Sequence, residues 1–317
     1  MIKGKKLFFA VSIVLIIASL FLAACSSKKD SNSVTIKIGA PHYGEPVLTA
    51  NMAKLLLEDR TEHNIQLITN LGTTSIILDQ ALRSNEIDIA ALLWSGGTTG
   101  TQHPKFLEEG LVDPNDPKWR DVDTVLAFLR EKGPEVLNRE YIGPLGFENT
   151  YAIVVTKETA ARYNLEKMSD LKGLSQDFIV GMDDSYMDWP IVGYPFMLEW
   201  YELEPFKQTV QMNIGLLYEA VAQGDLDVGI VYSTDSRIGI YDLVWLEDDL
   251  DLYYPYDAVY GVSLDILEKA PEIRDVLGEL TNRIDISDIH RMNAEVDVEE
   301  RDPEEVAKEF LEEIGLL

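Results

Sequence analysis

The sequence predicts an α/β protein of two lobes, each built on a mainly parallel sheet flanked by helices. Patterns typical of strands and helices alternate between residues 34 and 94, and they do so again between residues 151 and 232. Such alternation is typical of parallel strands whose connecting helices cover the sheet. A segment of the first run also matches a segment of the second, and a chain of 317 residues is long enough for two cores.

The first run begins with a strand and contains three strands and two helices. Alternating apolar side chains predict a strand at "VTIKIG", and periodic apolar positions predict a helix at "EPVLTANMAKLLLEDR", whose first turn suits Pro46. The strand "IQLIT", the helix "TSIILDQALRSN" and the buried strand "IDIAALLW" follow, and a further helix is predicted at "DVDTVLAFLREKG". We therefore expect the first lobe to run from Val34 to about Thr150.

The second run follows "GPLGFENT" and repeats the alternation. It passes from "YAIVVT" through "KETAARYN", "FIVGMDD" and "IGLLYEAVAQ" to "LDVGIVY", and two helices around "EIRDVLGELTNRI" and "EEVAKEFLEEIGLL" end the chain. We expect the second lobe to span residues 151–232. The first lobe then comprises residues 34–150 and 233–317, and the chain returns to it near Ser233.

The two runs share one closely matched segment. Residues 81–90, "ALRSNEIDIA", and residues 220–229, "AVAQGDLDVG", each end a helix, turn at Asn or Gly and enter a buried strand through an aspartate. Two lobes of one construction explain the match. Any turn from helix to strand in an α/β protein can look similar, so this alternative stays open.

The N-terminus has the layout of an export signal. Three lysines precede a nearly unbroken apolar run, which ends in "LAAC" at Cys25 and is followed by "SSKKDSNS". The run is shorter than a spanning helix requires, although an anchor helix remains an alternative. "LAAC" resembles the bacterial lipobox, so we expect residues 1–24 to be a signal peptide, Cys25 to be lipidated, and residues 25–33 to be a tether. The protein would then sit on the extracytoplasmic face of the cell membrane, held by its lipid.

Charge and cysteine content exclude several classes of partner. Removal of residues 1–24 takes away three lysines and no acid, which leaves 24 basic against 55 acidic side chains and a formal charge of −31. Such a chain repels nucleic acid and anionic lipid headgroups. Cys25 is the only cysteine, so the exported part has no internal disulfide.

Signatures of catalysis and of metal binding are largely missing from the sequence. The patterns G-x-S-x-G, G-x-x-x-x-G-K-[ST] and H-E-x-x-H do not occur. A metal held by His42, His103 and an acid such as Glu45 is a minor alternative. The acid pairs Asp183–Asp184 and Asp248–Asp249 are more typical of solvated loops than of catalytic sites. We therefore expect neither an enzyme nor a cofactor.

The ends of two buried strands indicate where a ligand would bind. Trp94 ends the last strand of the first run and Tyr232 ends the last strand of the second. Ligands of open parallel sheets bind beyond the carboxyl ends of strands, so both rings should face one cleft. The segment "SGGTTGT", Ser95–Thr101, could hold an anion through its amides and hydroxyls, or be a flexible surface turn. It contains no Lys or Arg, which suits a single carboxylate better than a phosphate.

Aromatic residues are concentrated between Val231 and Asp257. Six tyrosine or tryptophan side chains lie in these 27 residues, beside seven acids. A quaternary ammonium group has no N–H to donate and is attracted to the faces of aromatic rings. A cage of rings could therefore hold such a ligand, although most tyrosines in any protein are core or rim residues.

The motifs around these rings resemble those of a known family. "GFENTYAIVV", "VYSTDSRI", "YYPYDA" and the C-terminal "DVEERDPEEVAKEFLEEIGLL" are similar to the lipid-anchored osmoprotectant-binding proteins of ABC importers, which take up glycine betaine, choline and carnitine. The resemblance implies a type II periplasmic-binding-protein-like fold with a cage of tyrosines between the lobes. Matched motif by motif, the cage residues are Tyr151, Tyr232 and Tyr256.

The first lobe departs from the family pattern. "GAPHYGEP" stands where the family has G-S-K-x-F-T-E-Q, which puts Pro46 in place of a ligand-binding glutamine. The family's E-Y-T-G-T is spread through "LLWSGGTTGT", so Trp94 is expected to substitute for its tyrosine. Ser95, or the amides after it, would then receive a carboxylate, and Tyr43 is a further candidate ring.

The resemblance implies a solute-binding lipoprotein that closes its lobes on a quaternary ammonium ligand and docks on a membrane permease, with a separate subunit hydrolysing ATP. Three alternatives remain at this point. The protein could bind another solute, such as an oxyanion held by Ser95–Thr101. It could also be an exported enzyme that acts through acid pairs, or a sensor or adhesion lipoprotein.

Overall fold

The two-lobed α/β fold is confirmed by the computed structural model, which describes residues 33–41, 44–69, 71–72, 74–188 and 192–317. The described residues form ten strands in two five-stranded sheets. The predicted signal peptide, Cys25, the tether as far as residue 32, and Tyr43 lie outside the described residues.

The first sheet has the strand order β2-β1-β3-β10-β4. Its strands β1, β2 and β3 are mutually parallel, and β10 runs antiparallel to both β3 and β4. Four of its five strands therefore point the same way. The bounds are β1 Thr35–Gly39, β2 Asn64–Ile68, β3 Ile89–Trp94, β4 Arg139–Ile142 and β10 Ala258–Ser263.

The second sheet repeats this plan with the order β7-β6-β8-β5-β9. Strands β6, β7 and β8 are parallel, and β5 runs antiparallel to both β8 and β9. The sequence did not predict β4, β7, β9 or β10, three of which have only four residues. The bounds are β5 Tyr151–Thr156, β6 Ile179–Met182, β7 Gln208–Gln211, β8 Val228–Tyr232 and β9 Leu243–Leu246.

Helices flank both sheets. Within the described part of the chain, none of them is long and apolar enough to cross a membrane. The helix α12 was not predicted from the sequence, and it packs with α13 against α1. The bounds are α1 Gly44–Arg60, α2 Ser75–Arg83, α3 Pro104–Glu108, α4 Val122–Leu137, α5 Lys157–Tyr163, α6 Asp184–Asp188, α7 Tyr194–Trp200, α8 Ile214–Ala222, α9 Arg237–Ile240, α10 Leu264–Leu267, α11 Ile273–Gly278, α12 Ile286–Asp297 and α13 Pro303–Glu313.

Two linkers join the sheets. Residues 143–150 lead from β4 to β5, and residues 247–257 lead from β9 back to β10. The linkers run antiparallel, with a bridge between Glu148 and Asp257 and a hydrogen bond of 3.1 Å from Asn149 N to the carbonyl of Tyr256. The sequence analysis placed the return near Ser233, but β9 follows Ser233 and pairs with β5 in the second sheet. The chain therefore returns to the first sheet between Leu246 and Ala258.

The matched segments have the same structure in both lobes. The Asp88 carboxylate accepts a hydrogen bond of 2.8 Å from the backbone N–H of Lys37, and the Asp227 carboxylate accepts one of 2.8 Å from that of Ile179. In each lobe the aspartate precedes a central strand and accepts a hydrogen bond from the neighbouring parallel strand, at the middle of β1 and at the first residue of β6. The internal match thus reflects the same contact in both lobes, between an aspartate before one strand and a backbone N–H of the next.

A buried ionic cluster lies beside the first sheet. Arg139, which is fully buried at the start of β4, contacts the Asp79 carboxylate of α2 at 2.7 Å, and His103 Nε2 lies 3.2 Å from the same carboxylate. Burial alone would raise the pKa of Asp79, but the hydrogen bond from His103 and the charge of Arg139 lower it to about 2. This cluster fixes the C-terminal end of the loop that follows β3.

Candidate ligand-binding site

A cavity of about 800 Å³ lies between the two sheets. Glu45 and Trp94 line it from the first lobe, and Tyr151 and Tyr232 line it from the second. Trp94 ends β3 and Tyr232 ends β8, so the cavity lies beyond the carboxyl ends of central strands. Its size is typical of a site for a small ligand.

Tyr151 and Tyr232 form the second lobe's wall. They are directly opposite each other on the antiparallel strands β5 and β8, with ring centroids 5.2 Å apart. Tyr151 is 7 % exposed, whereas Tyr232 is 37 % exposed and has its ring open to the cavity. Burial raises the pKa of both phenols, so they stay neutral at physiological pH.

Two further tyrosines extend this wall. The ring centroid of Tyr186 lies 4.6 Å from that of Tyr151, and the centroid of Tyr253 lies 6.4 Å from it. The phenol oxygens of Tyr186 and Tyr253 are hydrogen-bonded at 2.8 Å. Tyr253 lines the cavity, although the sequence analysis did not place it among the cage residues. Tyr186 is fully buried behind the wall and was not singled out.

Tyr256, in the second linker, lies against the loop that follows β3. A Cβ atom added to Gly97 would lie 2.5 Å from the Tyr256 phenol oxygen, and one added to Gly96 would lie 2.4 Å from the carbonyl of Pro255. Gly97 has a φ of +59°, which favours glycine. The two glycines therefore allow the loop and the linker to approach closely, with the Tyr256 ring lining the cavity.

Of the other predicted site residues, Trp94 lines the cavity and Ser95 does not. Trp94 lines the cavity and makes an edge contact with Phe147, at a centroid distance of 6.4 Å. Ser95 is fully buried, and its hydroxyl donates to the Asp257 carboxylate at 3.0 Å and accepts from Asp257 N at 2.9 Å. The Ser95 side chain therefore holds the second linker to β3, and a ligand carboxylate would have to use other groups of the loop.

A buried carboxylate forms one corner of the cavity. Glu45, in the first turn of α1, accepts hydrogen bonds from the side-chain amides of Asn149 at 2.7 Å and Asn293 at 3.4 Å. Burial raises the pKa of Glu45, and hydrogen bonds with Thr234, Asn149 and Asn293 offset part of this rise. The net result is a pKa of about 7. The sequence analysis considered Glu45 only as a metal ligand. No group of three or more His, Cys, Asp or Glu among the described residues is arranged to hold a metal.

The cavity has an acidic lining. Glu45, Asp235 and Asp297 contribute carboxyl groups, and none of the described residues that line it is Lys, Arg or His. Arg237 pairs with Asp235 beside the cavity and neutralises part of this charge. Aromatic faces together with carboxylates produce a negative potential, which suits a cationic group.

The acid pairs once considered for catalysis bind the protein itself. Asp183 accepts a hydrogen bond of 2.7 Å from Tyr186 N, and Asp248 accepts bonds of 2.9 Å from Leu252 N and Tyr253 N. Asp249 accepts from the Ser169 hydroxyl at 2.7 Å. Asp183, Asp248 and Asp249 therefore order loops and the second linker.

Two lobes with a ring-lined cavity at their junction define a two-lobed solute-binding protein. The chain belongs to the family described as the substrate binding domain of ABC-type glycine betaine transport systems, which matches residues 34–313. This membership confirms the resemblance recognised in the motifs.

Individual relatives agree with this membership. The chain is 34 % identical to the carnitine transport binding protein OpuCC of Listeria monocytogenes, over 97 % of each chain. It is 27 % identical to the glycine-betaine-binding protein of Pseudomonas aeruginosa, over 96 % of this chain and 94 % of that one. A solved structure described as a glycine betaine/carnitine/choline ABC transporter is 31 % identical, with a TM-score of 0.79, and covers 89 % of this chain and 99 % of that chain.

These comparisons settle the general role of the protein. It is a substrate-binding protein of the ABC-type glycine betaine transport family, which implies a small ligand, a permease partner and an extracytoplasmic place of action. Its relatives are substrate-binding proteins of ABC transporters, which are not enzymes.

Proposed function

We propose that the protein captures a quaternary ammonium solute of the glycine betaine, carnitine or choline type in the cavity and delivers it to the permease of an ABC importer. The observation that carries this proposal is the Tyr151–Tyr232 ring pair, which shares one acidic cavity with Trp94 and Tyr256. The names of the relatives support the same ligand class.

The chemistry of the ligand explains why rings are used. A trimethylammonium group is weakly hydrated and offers no N–H, so carboxylates cannot hydrogen-bond to it. Each well-placed ring contributes about 0.5–2 kcal/mol through cation–π attraction. Tyr151, Tyr232, Tyr256 and Trp94 are the proposed cage residues, and Tyr253 adds a fifth face. The carboxyl groups at the edge contribute at longer range through their charge.

Delivery requires that the permease distinguish the loaded protein from the empty one. Two linkers join the lobes, and a ligand held by rings of both lobes favours closure about those linkers. In this proposal the closed form docks on the permease, and a separate subunit hydrolyses ATP inside the cell. Lipidation of Cys25 keeps the protein at the extracytoplasmic face of the membrane.

The proposal is tested by calorimetric titration of the exported part, residues 26–317, with glycine betaine, carnitine and choline. We expect saturable binding of at least one of them with one site per chain. The neutral isostere 3,3-dimethylbutan-1-ol has the shape of choline without its charge, and it should bind at least tenfold more weakly, because each ring loses about 0.5–2 kcal/mol of attraction.

Matched variants identify the cage. Substitution of Tyr232 and Tyr256 by Ala should abolish binding of the ammonium ligands, whereas Tyr241→Ala, which changes a 36 % exposed ring outside the cavity, should not. Sulfate and phosphate are titrated in parallel. If the protein instead binds an oxyanion at Ser95–Thr101, binding of sulfate or phosphate should survive the loss of both tyrosines. The absence of binding of any ammonium ligand to the wild-type protein would overturn the proposal.

A further inference from the structure

An arginine outside the cavity lies where the two lobes and the second linker meet. Arg120 ends the short 3₁₀ turn Pro117–Arg120, which precedes α4 in the first lobe. The turn is well packed, because Trp119 is 3 % exposed and its ring contacts Phe128 of α4 at a centroid distance of 4.9 Å. The Arg120 guanidinium therefore extends from a fixed part of the first lobe.

The guanidinium contacts two aromatic rings from different parts of the molecule. The Arg120 Cζ atom lies 4.4 Å from the ring centroid of Trp200, at the end of α7 in the second lobe, and 4.7 Å from that of Tyr254, in the second linker. Both distances are typical of cation–π contacts. Arg120 Nη1 also donates a hydrogen bond of 2.9 Å to the carbonyl of Leu252 in the same linker. One side chain of the first lobe thus contacts both the second lobe and the linker.

The partners of Arg120 are themselves bonded across these elements. Trp200 Nε1 donates a hydrogen bond of 2.9 Å to the carbonyl of Leu250 in the second linker. The Tyr254 hydroxyl donates to the carbonyl of Pro114 in the first lobe. Residues 250–254 of the linker are therefore held from both lobes, and Arg120 contacts the group that each lobe or linker contributes. A planar guanidinium suits this position, because it can lie on rings and donate to a carbonyl at the same time.

Tyr253 lies within this held segment. Its ring lines the cavity, with a centroid 6.4 Å from that of Tyr151. Its two neighbours in the chain, Leu252 and Tyr254, both contact Arg120. Loss of the Arg120 guanidinium would therefore free the backbone on both sides of a ring that faces the cavity.

We propose that Arg120 is a positioning residue for ligand binding, which connects the second linker to both lobes and so keeps the Tyr253 ring directed at the ligand. This inference rests on the proposed function, because it takes the ligand to be an ammonium solute held by rings. It goes beyond that function, since Arg120 lies outside the cavity and acts through Tyr253. Substitution of Arg120 should lower affinity although every side chain that lines the cavity is retained.

A double-mutant cycle tests whether Arg120 acts through Tyr253. Choline and glycine betaine are titrated into the wild-type protein, Arg120→Leu, Tyr253→Leu and the double variant. We expect each single substitution to weaken binding about tenfold and the double substitution to weaken it less than about thirtyfold, because both remove the same ring contact. Independent effects would multiply to about a hundredfold. Arg162→Leu, at an exposed position of α5, is the matched control and should change affinity less than about twofold.

Selectivity for charge provides a readout that a merely structural role would not change. The affinity for choline is divided by that for its neutral isostere, 3,3-dimethylbutan-1-ol. We expect this ratio to fall about threefold or more in Arg120→Leu and also in Tyr253→Leu, because a displaced ring no longer attracts the positive charge. A general loosening of the site would weaken both ligands alike and leave the ratio unchanged, which would overturn the inference.

The other outcomes separate this inference from the proposed function. Independent losses in the cycle, or an unchanged affinity of Arg120→Leu, would overturn the role of Arg120 and leave the proposed function standing. If Arg120→Leu does not fold, the same cycle and ratio are measured with Arg120→Lys, which keeps the charge and loses the planar guanidinium. If the wild-type protein binds none of the ammonium solutes, the proposed function fails and this inference fails with it.

Discussion

The Glu45 carboxylate accepts a hydrogen bond of 2.7 Å from the side-chain amide of Asn149, and this bond joins the first helix to the linker that leads into the second lobe. The amide of Asn293, on α12, also donates to Glu45, and it donates to the carbonyl of Thr234 at 3.0 Å. Thr234 follows β8 of the second lobe. One buried carboxylate therefore connects both lobes and a linker at the edge of the cavity.

Glu45 should make stability depend on pH. Its pKa is about 7 in the folded protein and 4.5 when unperturbed, so on a rise in pH the unfolded chain releases this proton first. Stability should therefore fall between pH 4.5 and pH 7, by up to about 3 kcal/mol from this group. Urea denaturation at several pH values should show a flatter dependence for Glu45→Gln. Parallel curves for the two proteins would contradict the prediction.

Ring faces, and not phenol hydroxyls, should determine affinity at Tyr232. Phenylalanine retains the face, whereas leucine provides similar bulk without one. We expect Tyr232→Phe to bind the ammonium solute within about threefold of the wild type, and Tyr232→Leu to bind it at least tenfold more weakly. Calorimetry measures both. Equal losses in the two variants would show that the hydroxyl, and not the ring, contacts the ligand.

Gly97→Ala should damage the site through Tyr256. The new Cβ would lie 2.5 Å from the Tyr256 phenol oxygen, and the residue would keep a φ of +59°. We expect a loss of about 1 kcal/mol or more of stability and a lower affinity, because the ring must move. Thermal unfolding and titration check these effects. Gly239→Ala, where an added Cβ meets nothing within 4 Å, is the control and should change neither.

Asp79 should be essential for the stability of the first lobe. Its loss leaves the Arg139 guanidinium fully buried without a counter-charge, so Asp79→Ala should destabilise the protein by about 3–5 kcal/mol. Denaturation at pH 7 measures the loss, and Asp225→Ala, at an exposed turn, should cost less than about 0.5 kcal/mol. Similar losses in both variants would show that the cluster contributes little.

The same carboxylate should make the protein sensitive to acid. The folded pKa of Asp79, about 2, lies below its unperturbed value of 3.8, so its contribution is present above pH 4 and is lost as pH falls toward 2. Denaturation between pH 2 and pH 5 should show a shallower decline for Asp79→Asn than for the wild type. An unchanged slope would exclude Asp79 as the group responsible.

Regular patterns made much of the fold predictable. Alternating strands and helices indicated both lobes. The matched aspartates Asp88 and Asp227 make the same hydrogen bond to a neighbouring strand in each lobe. The strand β9 was missed because "LVWL" has only four residues, and nothing in them indicates which sheet it joins. Because β9 was not predicted, the chain was expected to return to the first lobe near Ser233, which is too early.

The rings of the cavity were predictable because each ends a strand or belongs to a recognisable motif. Tyr253 differs, since it lies in an irregular linker where no periodicity indicates the direction of its side chain. The position of Glu45 at the cavity was missed for another reason. Its contacts involve Asn149 and Asn293, which are distant in sequence, and spacing along one chain does not reveal such contacts.

Tyr253 and Tyr256 belong to the second linker, whose backbone is bridged to the first. Under the proposed function, a rotation of the lobes about these segments carries both rings with it, so contact between ligand and rings favours one angle between the lobes. A solute that leaves either ring without contact would then stabilise the closed form less, and the permease would meet that form less often.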